Sequence, residues 1–462
     1  MRCLLLALVL AACGDEGPPA MTPFDLRSCE PVAWTDTTRA MREACGFFAG
    51  ETADMTLGLG EAERARLPFT HIVIRMQENR SFDHVLGSLG AEADVDGVPP
   101  GFSNRDLAGA EVPAFRTSDR CTEQDPPHQW ADMVAQWNGG AMDGFVTTAD
   151  RNQLPSEVDA AGRTNGHYVM GYLGREELPF YHWLADTFAI GDRYFSSSLG
   201  GTWSNRNFQY TGAAHGVQST FDDIIDFAPS LFEQLTANGI DWTVYLDGFA
   251  SPGRSPADFP RQDTIGWQLS APGSITPRPN GGASIRTMGD FFDDLARGTL
   301  PPVTFLETVP GSRNDEHPPF DIAFSEAWSR EIVEAARASP LWPGMVLLFN
   351  YDTAGGMLEH VPPPDACVPV PGDEAFTVLG LRVPFFVISP WTRPGYVSHE
   401  VHSHTSVLRF VQLVHGLPAL TDRDATSSGL LDFFDLDCAP DLLEGPAAPP
   451  AARPDGCDRR GL

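Results

Sequence analysis

Five short apolar runs, each followed by a cluster or loop of acidic, amide, hydroxyl or histidine residues, constrain this chain more than any other feature. His71–Met76 gives way to Gln77-Glu78-Asn79-Arg80, Met345–Phe349 to Asn350-Tyr351-Asp352, and Val383–Ile388 to Ser389-Pro390-Trp391. Val303–Leu306 precedes the loop containing Glu316-His317-Pro318. Trp242–Leu246 follows a helix signal that Ser230 caps, Glu233 closes as a capping box and Gly239 stops. Near-continuous apolar runs of this length read as strands buried on both faces, and the helical patterns Glu326–Ala338 and Thr405–Leu413 supply covering layers. The expected fold class is therefore α/β, with a mostly parallel central sheet sandwiched by helices. Ligands of such sheets bind beyond the carboxyl ends of the strands, where the acidic and amide groups of this chain stand.

No internal repeat interrupts this pattern. The Pro-, Gly- and Ser-rich stretch Ser251–Gly282 and the segment Asp94–Pro127 are insertions, expected to form a lid or small second lobe rather than domains of their own. One catalytic domain is expected over residues 26–436, followed by a Pro/Ala-rich tail, 437–462, that wraps the surface. At the other end, Arg2 precedes an apolar stretch and Leu10-Ala11-Ala12-Cys13-Gly14, the layout of an export signal. Leu-Ala-Ala-Cys resembles a bacterial lipobox, which implies a signal peptide over 1–12, a lipid on Cys13, a tether over 13–25 and an exported, membrane-anchored lipoprotein in the periplasm or at the cell surface. An ordinary signal peptide containing Cys13 is the simpler alternative. Setting Cys3 and Cys13 aside leaves Cys29, Cys45, Cys121, Cys367, Cys438 and Cys457, an even set that predicts disulfides in an exported chain. Of the fifteen possible pairings, spacing favours Cys29–Cys45 and Cys438–Cys457, leaving Cys121–Cys367.

Charge excludes one class of partner. All 31 basic residues are arginine, against 62 acidic ones, for a net charge of −31. Such a surface repels nucleic acid, whose binding requires a basic footprint. No apolar run reaches the ~18 residues of a membrane span. An anionic substrate would have to be met by local devices.

Several residues could form them. Glu78-Asn79, an acidic oxygen beside an amide oxygen at a strand end, suits a hard divalent cation; the plainer reading is a helix start capped by Asn79 or Ser81. Asp352 adds a second strand-end carboxylate before Gly355-Gly356, whose plainer reading is a turn. Gly200-Gly201-Thr202 places a hydroxyl where a helix start would favour an anion, and read alone it is only a capped helix. His128, after Pro126-Pro127, and His317, before Pro318-Pro319, sit in proline-bordered loops and could donate to a phosphoryl oxygen or protonate a leaving group. His404 opens the helix that runs into Leu408-Arg409-Phe410.

Taken in order, these segments resemble the bacterial phosphoesterase family that contains phospholipases C and the related acid phosphatases. The matching stretches are His71–Asp83 (HIVIRMQENRSFD), Asp125–His128 with Asn138–Phe145, Asp192–Arg206 (DRYFSSSLGGTWSNR), Glu316–Pro319 (EHPP), Asn350–Pro363 (NYDTAGGMLEHVPP), Leu381–Trp391 (LRVPFFVISPW) and His404–Phe410 (HTSVLRF). The resemblance implies an alkaline-phosphatase-like α/β core and a phosphoric ester hydrolase acting through a phospho-enzyme on Thr202. It implies one divalent cation (Mg, Ca, Mn or Zn) on Glu78, Asn79, Asp352 and the Thr202 hydroxyl. Asn205, His128 and His317 match groups that hold or protonate the phosphoryl oxygens, and His404 matches a family histidine. The substrate implied is a phosphate ester, with phospholipid favoured by the anchor on Cys13; a phosphomonoesterase of the acid phosphatase type is the alternative. Three positions depart from the family: Thr353 replaces a glutamate that is a further metal ligand, Glu359 replaces an aspartate, and Ser403 replaces another. Thr353 leaves a coordination position open, to be filled by water, Glu359 or His360. If it abolishes metal binding, the chain would be a non-catalytic lipoprotein that binds phosphorylated ligands.

Overall fold

The computed structural model describes residues 24–122, 124–151, 165–219, 229–247, 285–308, 312–454 and 457. The expected signal peptide, the tether as far as residue 23 and the Ser251–Gly282 insertion lie outside the described residues. The central sheet comprises β1 (His71–Gln77), β2 (Ala189–Gly191), β3 (Trp242–Asp247), β4 (Ile285–Thr287), β5 (Val303–Thr308), β6 (Met345–Tyr351), β7 (Phe386–Ile388) and β8 (Tyr396–Ser398). Their spatial order is β8-β2-β7-β6-β1-β5-β3-β4. All neighbours pair in parallel except β7, which is antiparallel to both β6 and β2. The mostly parallel sheet agrees with the sequence. The Val383–Ile388 run forms a strand only over its last three residues and runs against the others.

Every residue of β1 and β6 is buried. Ile72, Ile74, Val346 and Leu348 belong to one apolar core, while Val73, Leu347 and Phe349 belong to a second on the opposite face. Such two-sided burial explains why these strands read as unbroken apolar runs. Five helices frame the site: α1 (Phe82–Leu86), α2 (Trp130–Trp137), α3 (Thr202–Thr211), α4 (Ala323–Ala338) and α5 (His404–His415). Leu408 and Val411 of α5 pack into the first core, and Ile332 and Val333 of α4 into the second. The Asp94–Pro127 insertion carries the antiparallel pair Ser103–Arg105 and Glu111–Pro113, and Phe115–Arg116 pairs with Gly171–Tyr172.

The disulfides correct the pairing expected from spacing. They are Cys29–Cys438, Cys45–Cys367 and Cys121–Cys457, closing sequence separations of 409, 322 and 336 residues. Neither short loop forms, because the segment after the tether lies against the far end of the chain: the Val32 N–H donates to the Leu436 carbonyl at 3.0 Å. The tail runs along α4, where Arg330 donates to the Pro449 carbonyl and the Ala452 N–H to Glu326, both at 2.8 Å. Among the described residues no helix is long and apolar enough to cross a membrane.

Candidate active site

Register brings the first elements of the site together. Gln77 and Tyr351 are partners across β1 and β6, so Glu78 and Asp352 leave adjacent strands at the same level. Ser81, not Asn79, caps α1, its Oγ accepting the His84 N–H at 3.1 Å. Asn79 instead adopts a left-handed conformation, φ 57°. Its N–H donates to Asp352 Oδ1 at 3.1 Å, and the Thr353 N–H donates to the same oxygen at 2.6 Å. The paired glycines let two loops approach each other. A Cβ on Gly355 would fall 2.1 Å from the Asn79 carbonyl oxygen, and one on Gly356 would fall 2.5 Å from that of Pro127.

Thr202 is the first residue of α3, after the N-cap Gly201, and its hydroxyl donates to Glu78 Oε2 at 3.4 Å. Asn205 lies on the same helix. Its Nδ2 donates to the carbonyls of Gly200 (2.9 Å), Ser198 (3.3 Å) and Gly201 (3.3 Å), while its Oδ1 accepts the Ser198 N–H at 2.9 Å. In this structure the amide bonds the turn that presents Thr202. His404 has a similar part. Its Nε2–H donates to the Tyr351 carbonyl at 2.9 Å, one residue before Asp352, and burial pushes its pKa down to about 4, keeping the ring neutral.

Two charged residues of the site went unread in the sequence. Arg206 stands one turn beyond Thr202 on the same face of α3, and Glu307 lies at the end of β5. Arg206 bonds Glu78 Oε1 at 2.7 Å and Glu307 Oε2 at 2.6 Å, and its Nε lies 3.7 Å from Asp352 Oδ2. Tyr210 donates to Glu307 Oε1 at 2.6 Å. One guanidinium therefore serves three buried carboxylates. Burial first, and then the charge of Glu78, push the Asp352 carboxyl up to about 8. The strand-end rule that found Glu78 and Asp352 would have found Glu307 had β5 been drawn past Leu306.

The donor set fits a hard divalent cation. Asn79 Oδ1 and Asp352 Oδ2 are buried oxygens without a hydrogen-bond partner among the described residues, and they stand beside Glu78 and the Thr202 hydroxyl. Three buried carboxylates against one guanidinium leave an excess of negative charge that such an ion neutralises. Thr353 adds nothing, since its hydroxyl turns to Met133 Sδ on α2 at 3.5 Å. Neither Glu359 nor His360 takes the open position. Arg382 bonds Glu359 Oε1 at 2.7 Å, and His360 spans Asp83 Oδ2 (2.7 Å) and Asp96 Oδ1 (3.0 Å), a separate buried network.

The two loop histidines do converge. Their rings stand 5.4 Å apart, edge to face. His128 donates Nδ1–H to the Pro126 carbonyl at 2.6 Å, and its Nε2 lies 3.4 Å from Asn79 Nδ2. His317 donates Nδ1–H to the Pro318 carbonyl at 2.5 Å. Burial opposes charge on His317, but Asp125 and Glu78 outweigh it and raise its pKa. With Asp125, the pair places ligand-type atoms within 4.8 Å of one another. A cavity of about 520 Å3 lined by Trp34, Arg42, His402 and Asp432 contains none of these groups.

A hydroxyl at a helix start, beside strand-end carboxylates and two convergent histidines, defines a hydrolase class suited to an anionic ester. Residues 69–418 match the model of the Phosphoesterase family, and the chain belongs to that family. It is a phosphoric ester hydrolase. Similar relatives include Phospholipase C A of Mycobacterium tuberculosis, 30% identical over 80% of this chain and 77% of the relative. Non-specific phospholipase C5 of Arabidopsis thaliana is 29% identical over 78% and 72%. Non-hemolytic phospholipase C of Burkholderia pseudomallei is 29% identical over 74% of this chain and 54% of that protein.

Proposed function

We propose that this protein cleaves phosphodiesters in the manner of a phospholipase C, through a covalent phosphothreonine at Thr202. The observation that carries the reading is the Thr202 hydroxyl bonded to Glu78 at 3.4 Å at the start of α3, inside the cluster of Glu78, Asn79 and Asp352. Glu78, Asn79, Asp352 and Thr202 would hold a divalent cation, which when bound would supply Lewis-acid charge to acidify the hydroxyl and offset charge on the phosphoryl oxygens. The first-turn N–H groups of α3 favour the same anion. The Thr202 hydroxyl loses its proton to water and its Oγ bonds to phosphorus as the bond to the leaving oxygen breaks, and His317, whose pKa Asp125 and Glu78 raise, gives that oxygen its proton. Water then attacks the phosphothreonine and frees Thr202. The names of the relatives favour a lipid diester, as does a lipid anchor on Cys13, which we propose holds the exported protein at a membrane; intact mass of the membrane fraction checks the anchor.

Thr202→Val removes the nucleophile and keeps the side-chain volume. Turnover of p-nitrophenyl phosphorylcholine should fall by at least about 10³-fold with unchanged circular dichroism; a variant that still turns over removes Thr202 from the mechanism. Faster wild-type cleavage of p-nitrophenyl phosphate than of the diester would assign the monoesterase activity instead.

A further inference from the structure

We propose that His128 is a positioning residue that fixes the orientation of the Asn79 amide, so that Asn79 turns its oxygen rather than its nitrogen toward the cation site. This rests on the reading of Glu78, Asn79 and Asp352 as that site. An asparagine amide fits either way round until a neighbour distinguishes its two ends. Here the neighbour is a ring whose tautomer is set by the chain itself. The Pro126 carbonyl accepts the Nδ1–H of His128 at 2.6 Å, which selects the tautomer with its lone pair on Nε2. That lone pair lies 3.4 Å from Asn79 Nδ2 and accepts from it. The opposite end of the amide, Oδ1, is then buried with no hydrogen-bond partner among the described residues, and Asn79 is fully buried.

The backbone leaves the amide little other freedom. The Asn79 N–H is held by Asp352 at 3.1 Å, and Gly355 packs against its carbonyl. Gly356 packs against the Pro127 carbonyl, so the loop carrying Asp352 also presses on the turn carrying His128. With the amide reversed, an NH2 group, which cannot ligate a cation, would take the place of the unpartnered Oδ1. A relay from the Pro126 carbonyl through His128 to Asn79 removes that competing state, and proton delivery falls to His317.

Two polar substitutions separate this role from proton transfer. His128→Asn keeps a donor near Nδ1 but has nothing at the position of Nε2, whereas His128→Gln places an acceptor there. Binding of Mg2+, Ca2+, Mn2+ and Zn2+, each alone and without substrate, is measured by calorimetry on protein checked for folding by circular dichroism. For the ion that wild type binds most tightly, H128N should lose about 10–100-fold in affinity, the usual cost of losing a partner that orients a ligand, and H128Q should lose clearly less. If H128N does not fold, His128→Leu, which also lacks an acceptor, takes its place. Affinities equal to wild type in both variants, or equally reduced in both, overturn the relay. Wild-type protein that takes up none of the four ions overturns the cation reading itself.

Discussion

Gly355 has little room for change. It sits at φ 62°, and a Cβ there would lie 2.1 Å from the Asn79 carbonyl oxygen. Gly355→Ala must therefore strain the backbone and push Asn79 from Asp352. A loss of about 1–3 kcal/mol in chemical denaturation and weaker cation binding are expected; unchanged stability together with unchanged affinity would contradict the packing described. At this scale the sequence was informative through motifs taken in order. Glu78, Asn79, Asp352 and Thr202 each have a plainer reading as a cap or a turn, and only the ordered resemblance to the family singles them out. Arg206 was not legible, since an arginine on a helix is usually solvated, and its 4% exposure follows only from Glu78, Glu307 and Asp352 closing around it. Asn205 was identified as a site residue, but its contacts depend on a turn that no spacing reveals.

Among the elements, the Asp94–Pro127 insertion is fastened to the core by charge. His360 Nδ1 lies 2.7 Å from the fully buried Asp83 and its Nε2 lies 3.0 Å from Asp96 in the insertion. Burial opposes charge on this ring, yet Asp83 and Glu359 outweigh it, and the pKa of His360 is raised. Folding therefore favours the protonated ring. Its contribution is fully present below the unfolded value of about 6.5 and is lost as pH rises through the higher folded value. Thermal unfolding of wild type and His360→Gln should differ most below about pH 6 and converge as pH rises through the raised folded pKa; a difference that stays constant with pH would remove His360 as the source. The long elements β1, β3, β5, β6 and α4 were readable because two-sided burial or helical periodicity repeats over many residues. The three-residue strands β2, β4 and β8 offer too few positions for either signal, and the direction of β7 is set by its connections rather than by its composition.

Over the whole molecule, chain distance misled where spatial distance decides. Cysteines 409, 322 and 336 residues apart are joined: Cys29 meets Cys438 where the segment around Val32 lies against Leu436, and Cys45 and Cys457 are bridged to Cys367 and Cys121 in the body of the chain. Closing such long loops restricts the unfolded chain more than the short loops favoured by spacing would. The net charge of −31 likewise gives no guide to the site. Much of that charge is exposed and screened over ~8 Å at physiological ionic strength, whereas the site concentrates three carboxylates around Arg206 and turns a helix start and His317 toward the same space. In the function proposed, a phosphate ester is met by these local groups despite the sign of the surface. The central claim, a covalent step on Thr202, is tested most directly by acid-quenching the intact protein during turnover of p-nitrophenyl phosphorylcholine and mapping phosphate by peptide mass. The account predicts a phosphocholine-bearing or phosphorylated threonine at Thr202 that disappears once substrate is exhausted. Steady turnover with an unmodified Thr202 peptide, together with inversion at phosphorus in a chiral substrate, would contradict it.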